Sequence, residues 1–217
     1  MPKRTYTSPL RAASTAATRE RILEAAQHCF EQKGFAGTTM RAIAERAGTS
    51  LESVNVTGTK RDLLMAALTR ATTQVETDAR LLDLPEPKAI FSDPDPAVGL
   101  SNLMLWVAAS NKRTSRLWRC LDQAADTDEG IRTDYNDFLA RMREEAARGI
   151  SMLGERGALR PGIAESELAD LLWLLVLPDQ RRRLCDHAGW SQQKYEAWLC
   201  WSAKTTVLAT CPHTTRS

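Results

Sequence analysis

Residues 38–60, TTMRAIAERAGTSLESVNVTGTK, constrain the fold more than any other segment of this 217-residue chain. Thr39 is a good N-cap, because its hydroxyl can accept from a free backbone N–H of a first helical turn. Gly48 readily adopts the positive φ at which many helices end. Between them, apolar side chains recur at the i, i+3, i+4 and i+7 spacing of one helical face: Met40, Ile43, Ala44 and Ala47. The pattern therefore predicts a two-turn amphipathic helix.

A second short helix is predicted directly after Gly48. Ser50 can cap it, with two residues facing inward (Leu51 and Val54) and three facing outward (Glu52, Ser53 and Asn55). Ala44 fits a close crossing of the two helices, where a larger side chain would push them apart. Two short helices joined by a tight glycine turn form a helix-turn-helix, the unit that places its second helix in the major groove of DNA.

The composition and the cysteines limit the class of protein. No run approaches about 18 uncharged apolar residues, so we expect no membrane span. The N-terminus lacks the apolar core of a secretory signal. Five cysteines, at positions 29, 120, 185, 200 and 211, are odd in number and irregularly spaced, which indicates free thiols in a reducing compartment.

The charge is distributed unevenly along the chain. Residues 1–70 hold 11 Lys and Arg against 6 Asp and Glu, a net charge of +5. The remainder holds 18 against 21, a net charge of −3. A basic head on a mildly acidic body is typical of a DNA-facing domain joined to a regulatory one, although a solvated basic face is also common.

The rest of the chain shows helical periodicity and no β-alternation, so we predict an all-α fold. The expected helices cover residues 16–33, a fourth helix from Thr59 to about Leu82, and residues 97–111, 115–125, 128–153, 165–176 and 191–208. Four prolines in residues 83–96 predict a loop or linker there.

The N-terminal segment resembles the TetR family of bacterial one-component transcriptional regulators. The match covers about residues 18–70, through TRERILEAAQHCFEQKGFAGTTMRAIAERAG and the later GTKRDLLMAAL. Residues 170–199 also resemble the C-terminal part of actinobacterial-type members. The resemblance implies a three-helix head that binds DNA, a connecting fourth helix, and a helical body that binds a small ligand and dimerises.

We therefore expect four segments along the chain. Residues 1–15 are a flexible basic arm, which is either a disordered terminus or an arm that touches DNA phosphates or the minor groove. Residues 16–58 form the helix-turn-helix domain, residues 59–211 the helical ligand-binding and dimerisation domain, and residues 212–217 a tail.

The resemblance carries DNA contacts onto particular residues. Thr39 and Lys60 match positions where family members contact phosphates, and Arg41 is on the preceding helix. Thr59 precedes a helix N-terminus, which attracts phosphate. Glu52 can accept from cytosine N4 or be merely solvated. The full set on or near the recognition helix is Thr39, Arg41, Thr49, Ser50, Leu51, Glu52, Ser53, Asn55, Thr59 and Lys60.

One segment departs from the family pattern. Members usually end the recognition helix with a tyrosine and then an aromatic pair before the next helix. Here residues 54–58 read VNVTG, which is one residue shorter and contains no aromatic ring. The head is therefore expected to be looser or to contact DNA with an altered geometry.

Large side chains of the body give two predictions and one alternative. A ligand pocket is expected among Trp106, Trp118, Phe138, Met142 and Trp173. The alternative is that these residues are ordinary core. The helix at 165–176 and the last helix are apolar over more than one face, which indicates a homodimer surface, with Trp198 and Trp201 the best candidates.

Catalytic and metal sites are not predicted. The chain has no Gly-rich phosphate loop, no nucleophile elbow and no convincing triad. Cys185-x-His187 and Cys211-x-His213 are spaced more tightly than structural zinc ligands, so we expect no metal and no cofactor. Arg181, Arg182 and Arg183 are interpreted as a solvated face rather than a nucleic-acid patch.

The sequence thus favours a cytoplasmic bacterial regulator, associated with the nucleoid when bound to DNA. It is expected to be a homodimer on a near-palindromic double-stranded operator, most simply a repressor released by a small apolar or aromatic effector. The alternative is a TetR-shaped helical interaction protein that has lost specific operator binding. An enzyme is not expected.

Overall fold

The computed structural model describes residues 9–74, 76–77 and 79–209. This part of the chain is helical, and its only β pairing is an isolated bridge between Leu159 and Leu208. A 3₁₀ turn covers Leu81–Asp83 and a π-helical turn covers Arg182–His187. The α-helices are α1 Pro9–Gly37, α2 Met40–Ala47, α3 Leu51–Thr57, α4 Lys60–Thr73, α5 Pro85–Phe91, α6 Pro96–Ala125, α7 Glu129–Glu155, α8 Glu165–Val176, α9 Pro178–Arg181 and α10 Gln192–Val207. The all-α prediction is confirmed.

The predicted caps of the helix-turn-helix are present. The Thr39 hydroxyl accepts from the N–H of Ala42, and the Ser50 hydroxyl accepts from the N–H of Ser53, each at 3.1 Å. Gly48 ends α2 in the left-handed region, at φ 61°. The first helix is likewise interrupted at Gly34, at φ 69°, although helical turns continue to Gly37.

The core of the head extends into the body. Ile43 of α2 and Val54 of α3 are fully buried among apolar side chains of α1 and α4. The same cluster includes Leu117 and Leu121 of α6 and Ile131 of α7, all fully buried. The head therefore shares its hydrophobic core with the nearer end of the body, because α6 supplies one of its walls.

A second core lies at the far end of the body. It joins α6, α8 and α10 around fully buried residues such as Leu100, Leu168, Tyr195 and Leu199. Helix α6 has 30 residues and is therefore about 45 Å long. It passes through both cores and was wrongly predicted as two helices, at 97–111 and 115–125.

The predicted ends of the fourth helix and of the loop after it were wrong. Helix α4 stops at Thr73, and Gln74 follows in the left-handed region at φ 63°. Residues 83–96 were expected to be a loop because of their prolines, but Pro85 and Pro96 begin α5 and α6. Proline is favoured in the first turn of a helix, where its missing N–H is not needed.

The N-terminal part of the chain also differs from the expectation, and the outermost residues of both termini are not described. Helix α1 begins at Pro9, so residues 9–15 of the expected arm are helical. Residues 1–8 and the expected tail at 212–217 lie outside the described residues. The short α9 and the π turn were not predicted, whereas the helices expected at 165–176 and 191–208 are present as α8 and α10.

No helix in the described ranges combines the length and the apolar character that crossing a bilayer would need.

Replacing Leu121 tests whether the head and body share one core. Leu121 is fully buried in the cluster common to α1, α4 and α6. We expect Leu121→Ala to lower the free energy of unfolding by about 2–5 kcal/mol, because it removes buried methyl groups and leaves a cavity. Urea unfolding followed by circular dichroism measures the change.

Leu105→Ala is the matched control, since Leu105 lies on the same helix and is 43% exposed. Its expected effect is within about 0.5 kcal/mol. A loss in Leu121→Ala no larger than in this control would contradict the shared core.

Candidate DNA-binding head and ligand cavity

One face of helix α3 carries both polar and apolar side chains, and nothing else in the described chain covers it. Successive residues of a helix turn by about 100°, so Leu51, Glu52, Asn55 and Val56 fall within one arc of about 140°. All four are exposed, and Val56 reaches 83%, so the prediction that Leu51 faces inward was wrong. Val54 points the opposite way and is fully buried. The helix therefore contributes Val54 to the core of the head and leaves the opposite face open.

Hydroxyls that were predicted to contact DNA make hydrogen bonds within the head. Thr39 and Ser50 accept from the N–H groups that they cap, and the Ser50 and Ser53 hydroxyls lie 2.9 Å apart. The N–H of Thr49 donates to the carbonyl of Ala44, which closes the turn. The structure thus places all three predicted residues 39, 49 and 50 at the turn and its caps.

Lys60 has a structural role that the sequence did not indicate. Its ammonium donates to the carbonyl of Phe35 at 3.0 Å and to that of Thr38 at 3.2 Å. It also lies 4.1 Å from the centre of the Phe35 ring, within range of a cation–π interaction. Two of its three hydrogens therefore join the start of α4 to the end of α1. This contact stabilises the head close to the ring-free 54–58 segment.

The N-terminus of α4 is occupied by a carboxylate of its own chain. The N–H of Thr59 donates to Asp62 Oδ2 at 2.8 Å, and the N–H of Asp62 donates to the Thr59 hydroxyl at 3.2 Å. These hydrogen bonds, first that from the Thr59 backbone, lower the pKa of Asp62. A phosphate at the predicted Thr59 position would meet this negative charge.

Gly58 makes the short connection between α3 and α4 possible. Its φ is 153°, and a Cβ added there would lie 2.9 Å from the Cβ of Asp62. Such a contact is too close for any side chain, so the turn can be this tight only with glycine.

Arg46 is a candidate phosphate contact that the sequence analysis missed. It lies in the last turn of α2, is exposed, and has no ion-pair partner among the described residues. The predicted Arg41 is also exposed, but its guanidinium is 3.1 Å from the carboxylate of Glu45. The sequence carried a signal for Arg46, because no carboxylate lies three or four residues before or after it on the same helix, where it could form an ion pair.

Polar contacts fix α4 to the body at both of its ends. Arg61 forms a two-point ion pair with Asp134 of α7. At the other end, Arg113 of α6 donates to the carbonyls of Ala71 and Thr72 at 3.0 and 3.2 Å. These contacts join α4, at both of its ends, to helices of the body.

A cavity of about 310 Å³ lies beside α4, between it and helices α6, α7 and α8. Four of the five predicted pocket residues line it: Trp106, Trp118, Phe138 and Met142. Trp173 does not line the cavity. Trp173 packs instead against the far core, and its indole nitrogen is buried with no hydrogen-bond partner in the described structure.

Three polar residues of the cavity wall were not predicted. Ser110, Asn111 and Thr114 lie on the face of α6 between Val107 and Trp118 and are almost fully buried. In the sequence they appear as polar interruptions, which helped to split this helix into two in the prediction. Asn111 donates to the hydroxyl of Tyr195, whose pKa burial raises to about 12.

Helices α8 and α10 carry exposed apolar side chains. Leu171 and Leu174 of α8 are 36% and 45% exposed, and Trp201 of α10 is 64% exposed. Trp198, the other predicted interface residue, is half-buried and packs against the rings of Tyr195 and Trp190.

The thiols form no metal site in the described structure. Cys29, Cys120, Cys185 and Cys200 are all free. Burial raises the pKa of Cys120 to about 11. Within residues 9–74, 76–77 and 79–209, no group of three or more His, Cys, Asp or Glu side chains could hold a metal ion. Cys211 and His213 lie outside the described residues.

These features define an all-α chain in which a helix-turn-helix head is joined by α4 to a helical body with an internal cavity. Residues 22–56 match the family model of bacterial regulatory proteins of the tetR family. This match confirms the resemblance: the head is a TetR-type helix-turn-helix, and about nine tenths of the chain shares its fold with solved structures of TetR-family regulators. A search of curated proteins gave no match.

Solved structures share this fold over nearly their whole length. A protein assigned to the TetR family from Mesorhizobium loti is 21% identical, with a TM-score of 0.68 over 88% of this chain and 96% of that one. NalD, the secondary repressor of a multidrug efflux pump in Pseudomonas aeruginosa, is 22% identical, with a TM-score of 0.65 over 89% and 98%. A transcriptional regulator from Saccharomonospora viridis, in complex with choline, is 20% identical, with a TM-score of 0.66 over 90% and 100%.

The pH dependence of stability tests the role of Asp62. Because its folded-state pKa is lowered, its contribution is present above the ordinary pKa of an aspartate and is lost as the pH falls through the lowered value. We expect Asp62→Asn to lower the melting temperature at pH 7, and the difference from the natural chain to shrink as the pH falls below the ordinary pKa of an aspartate. Thermal unfolding between pH 3 and pH 7 measures this.

Asp137→Asn is the control, since Asp137 is exposed on α7 and makes no hydrogen bond in the described structure. A constant difference in melting temperature between the natural chain and Asp62→Asn across this pH range would show that Asp62 does not stabilise the head through its charge.

Proposed function

We propose that this protein is a ligand-responsive transcriptional regulator of the bacterial cytoplasm, and specifically a dimeric repressor that an effector releases from a near-palindromic operator. The observation that carries the proposal is the uncovered face of α3, held outward by one buried valine in a TetR-type helix-turn-helix. A helix in this position enters the major groove in helix-turn-helix proteins.

The chemistry of this face indicates which base edges it would read. Asn55 can bind adenine through N6 and N7, and Glu52 can accept from cytosine N4. Leu51 and Val56 offer apolar contact to the methyl group of thymine. Since the face carries no Lys or Arg, guanine is the base least suited to it. Arg46 and Arg41 would supply the phosphate contacts, together with the Thr39 hydroxyl.

The response to an effector would pass through α4. The cavity is lined by Leu68, Thr69 and Thr72 of this helix, and the ion pair at Arg61 and the hydrogen bonds from Arg113 fix its ends to the body. A ligand that prefers one position of α4 shifts the heads toward one separation by its differential affinity for the two states. The choline complex of the Saccharomonospora viridis relative supports a small molecule as the effector.

Dimerisation would place two α3 helices on successive major grooves, about 34–36 Å apart. The exposed apolar side chains Leu171, Leu174 and Trp201 make the α8 and α10 face the best candidate for the contact between two copies.

Selection of bound oligonucleotides from a random pool tests DNA recognition by the full chain. We expect a near-palindromic consensus rich in A·T pairs, with an affinity that falls steeply with salt. Arg46→Ala should weaken binding to all sequences alike and reduce the salt dependence by about one counterion. Fluorescence anisotropy on the selected site measures both effects.

Arg183→Ala is the control for this measurement, because Arg183 is an exposed arginine of the π turn and pairs with Asp179. It should leave DNA binding unchanged. Selection without any consensus would contradict operator recognition and favour the alternative, a TetR-shaped interaction protein. The ring-free 54–58 segment and the Asp62 carboxylate at the start of α4 are the features that support this alternative.

The dimer surface is tested by charge insertion. We expect the natural chain to have twice the mass of one chain in solution, and Leu174→Glu to shift it toward the monomer, because a carboxylate is costly to bury at an apolar contact. Sedimentation equilibrium measures the masses. Leu51→Glu, at a similarly exposed leucine of the head, should stay dimeric. A dimer that persists in Leu174→Glu would place the interface elsewhere.

A further inference from the structure

Helix α6 places three buried polar side chains on the cavity lining, among apolar residues of the same helix. Ser110, Asn111 and Thr114 fall within one arc of about 100° on the helix, since each residue adds a rotation of about 100°. Their exposed fractions are 5%, 4% and 2%. Buried polar groups are costly unless they are hydrogen-bonded, so the partners of these three side chains decide what the cavity can bind.

Every hydrogen that these side chains can donate is already committed to the protein. The Ser110 hydroxyl donates to the carbonyl of Thr72 at 3.2 Å, and the Thr114 hydroxyl donates to the carbonyl of Ser110 at 2.9 Å. The Asn111 amide donates to the carbonyl of Val176 at 3.1 Å and to the Tyr195 hydroxyl at 3.0 Å. A backbone carbonyl can only accept, so the Val176 contact fixes which end of the Asn111 amide is nitrogen.

The oxygen atoms of the same three side chains keep lone pairs for a ligand. No described residue donates to the Asn111 carbonyl oxygen, to the Ser110 hydroxyl or to the Thr114 hydroxyl. A group that enters the cavity and itself only accepts hydrogen bonds would find no donor on this wall. A group that donates would find three acceptors.

We propose that Ser110, Asn111 and Thr114 form an acceptor site that selects effectors carrying a hydroxyl or N–H donor on an apolar, ring-sized body. The proposal rests on the proposed function, in which this cavity is the effector site. Aromatic side chains, Trp118 and Phe138, lie on the same lining and suit the apolar body of such a ligand. A volume of about 310 Å³ is near the lower end of ligand sites and fits a molecule of one or two rings.

The charged residues of the lining do not impose a competing selection. Arg80 and Glu144 face each other at 3.6 Å, and Glu145 accepts from Arg148 at 2.9 Å and from the N–H of Leu82 at 3.0 Å. Arg141 is exposed, with its guanidinium 5.7 Å from the centre of the Phe138 ring. The lining therefore carries both positive and negative charge. The buried polar side chains of α6 decide which ligands the cavity selects.

The same wall contacts the end of α4 directly. Ser110 donates to Thr72, the residue before the last of that helix, and Arg113 donates to the same carbonyl. A donor bound at Ser110 thus lies one hydrogen bond away from the helix that holds the head.

Matched ligand pairs that differ only in the donor test the proposal. We would titrate the full chain with 2-naphthol against 2-methoxynaphthalene, and with indole against N-methylindole, by isothermal titration calorimetry. The donor-bearing member of each pair should bind at least tenfold more tightly, because its methylated partner leaves the acceptors unpaired. In Ser110→Ala/Thr114→Val this preference should fall to about threefold or less.

Thr133→Val is the control, as an exposed threonine of α7 outside the cavity, and should keep the full preference. Equal affinity within the pairs, no binding of any member, or a preference unchanged in the double variant would overturn the proposal. These titrations contain no DNA, so their outcome is distinct from that of the oligonucleotide selection, which tests the proposed function itself.

Discussion

The structure depends on the polar contacts that fix both ends of α4. One cation is the first residue of α4 itself, and the other comes from α6. At its start, the ammonium of Lys60 reaches across to the carbonyls of Phe35 and Thr38, which terminate α1 and precede α2. At its end, the guanidinium of Arg113 satisfies the carbonyls of Ala71 and Thr72, which have no partner within the helix. Between these points, α4 forms part of the head core and part of the cavity wall.

This arrangement explains how the head tolerates a segment without aromatic rings. This chain closes the α3–α4 turn with Gly58 and anchors it with the Thr59–Asp62 capping box. Phe35 stacks on Phe30 at 6.0 Å and lies under the Lys60 ammonium, which restores aromatic packing from the α1 side. The head is therefore closed by polar contacts and by a ring that comes from a different helix.

Local signals in the sequence were sufficient to predict the helix-turn-helix and its caps, because Thr39, Gly48 and Ser50 act through neighbouring backbone groups. They were insufficient for the region after α4. The prolines there indicate breaks but do not distinguish a loop from the first turn of a new helix. Ser110, Asn111 and Thr114 looked like a break in α6 and are instead its buried polar wall, a distinction that depends on Val176 and Tyr195, far away in the sequence.

The candidate site was predictable to a similar extent. Large side chains at helical spacing correctly predicted four residues of the cavity lining, since pockets in helical bundles form between such side chains, but they gave no signal for most of the other lining residues. Trp173 has the same local signal, but the packing of α8 directs it to the far core. Lys60 was assigned to phosphate from its position, whereas its two carbonyl partners lie 22 and 25 residues earlier in the chain.

The outward face of α3 has a consequence for how such a chain can evolve. Leu51, Glu52, Asn55 and Val56 are exposed and lie outside the buried core, to which α3 contributes Val54. Changes at these four positions are therefore nearly neutral for folding. The outward face of α3 can therefore diversify among descendants of this chain while the scaffold beneath it is inherited unaltered.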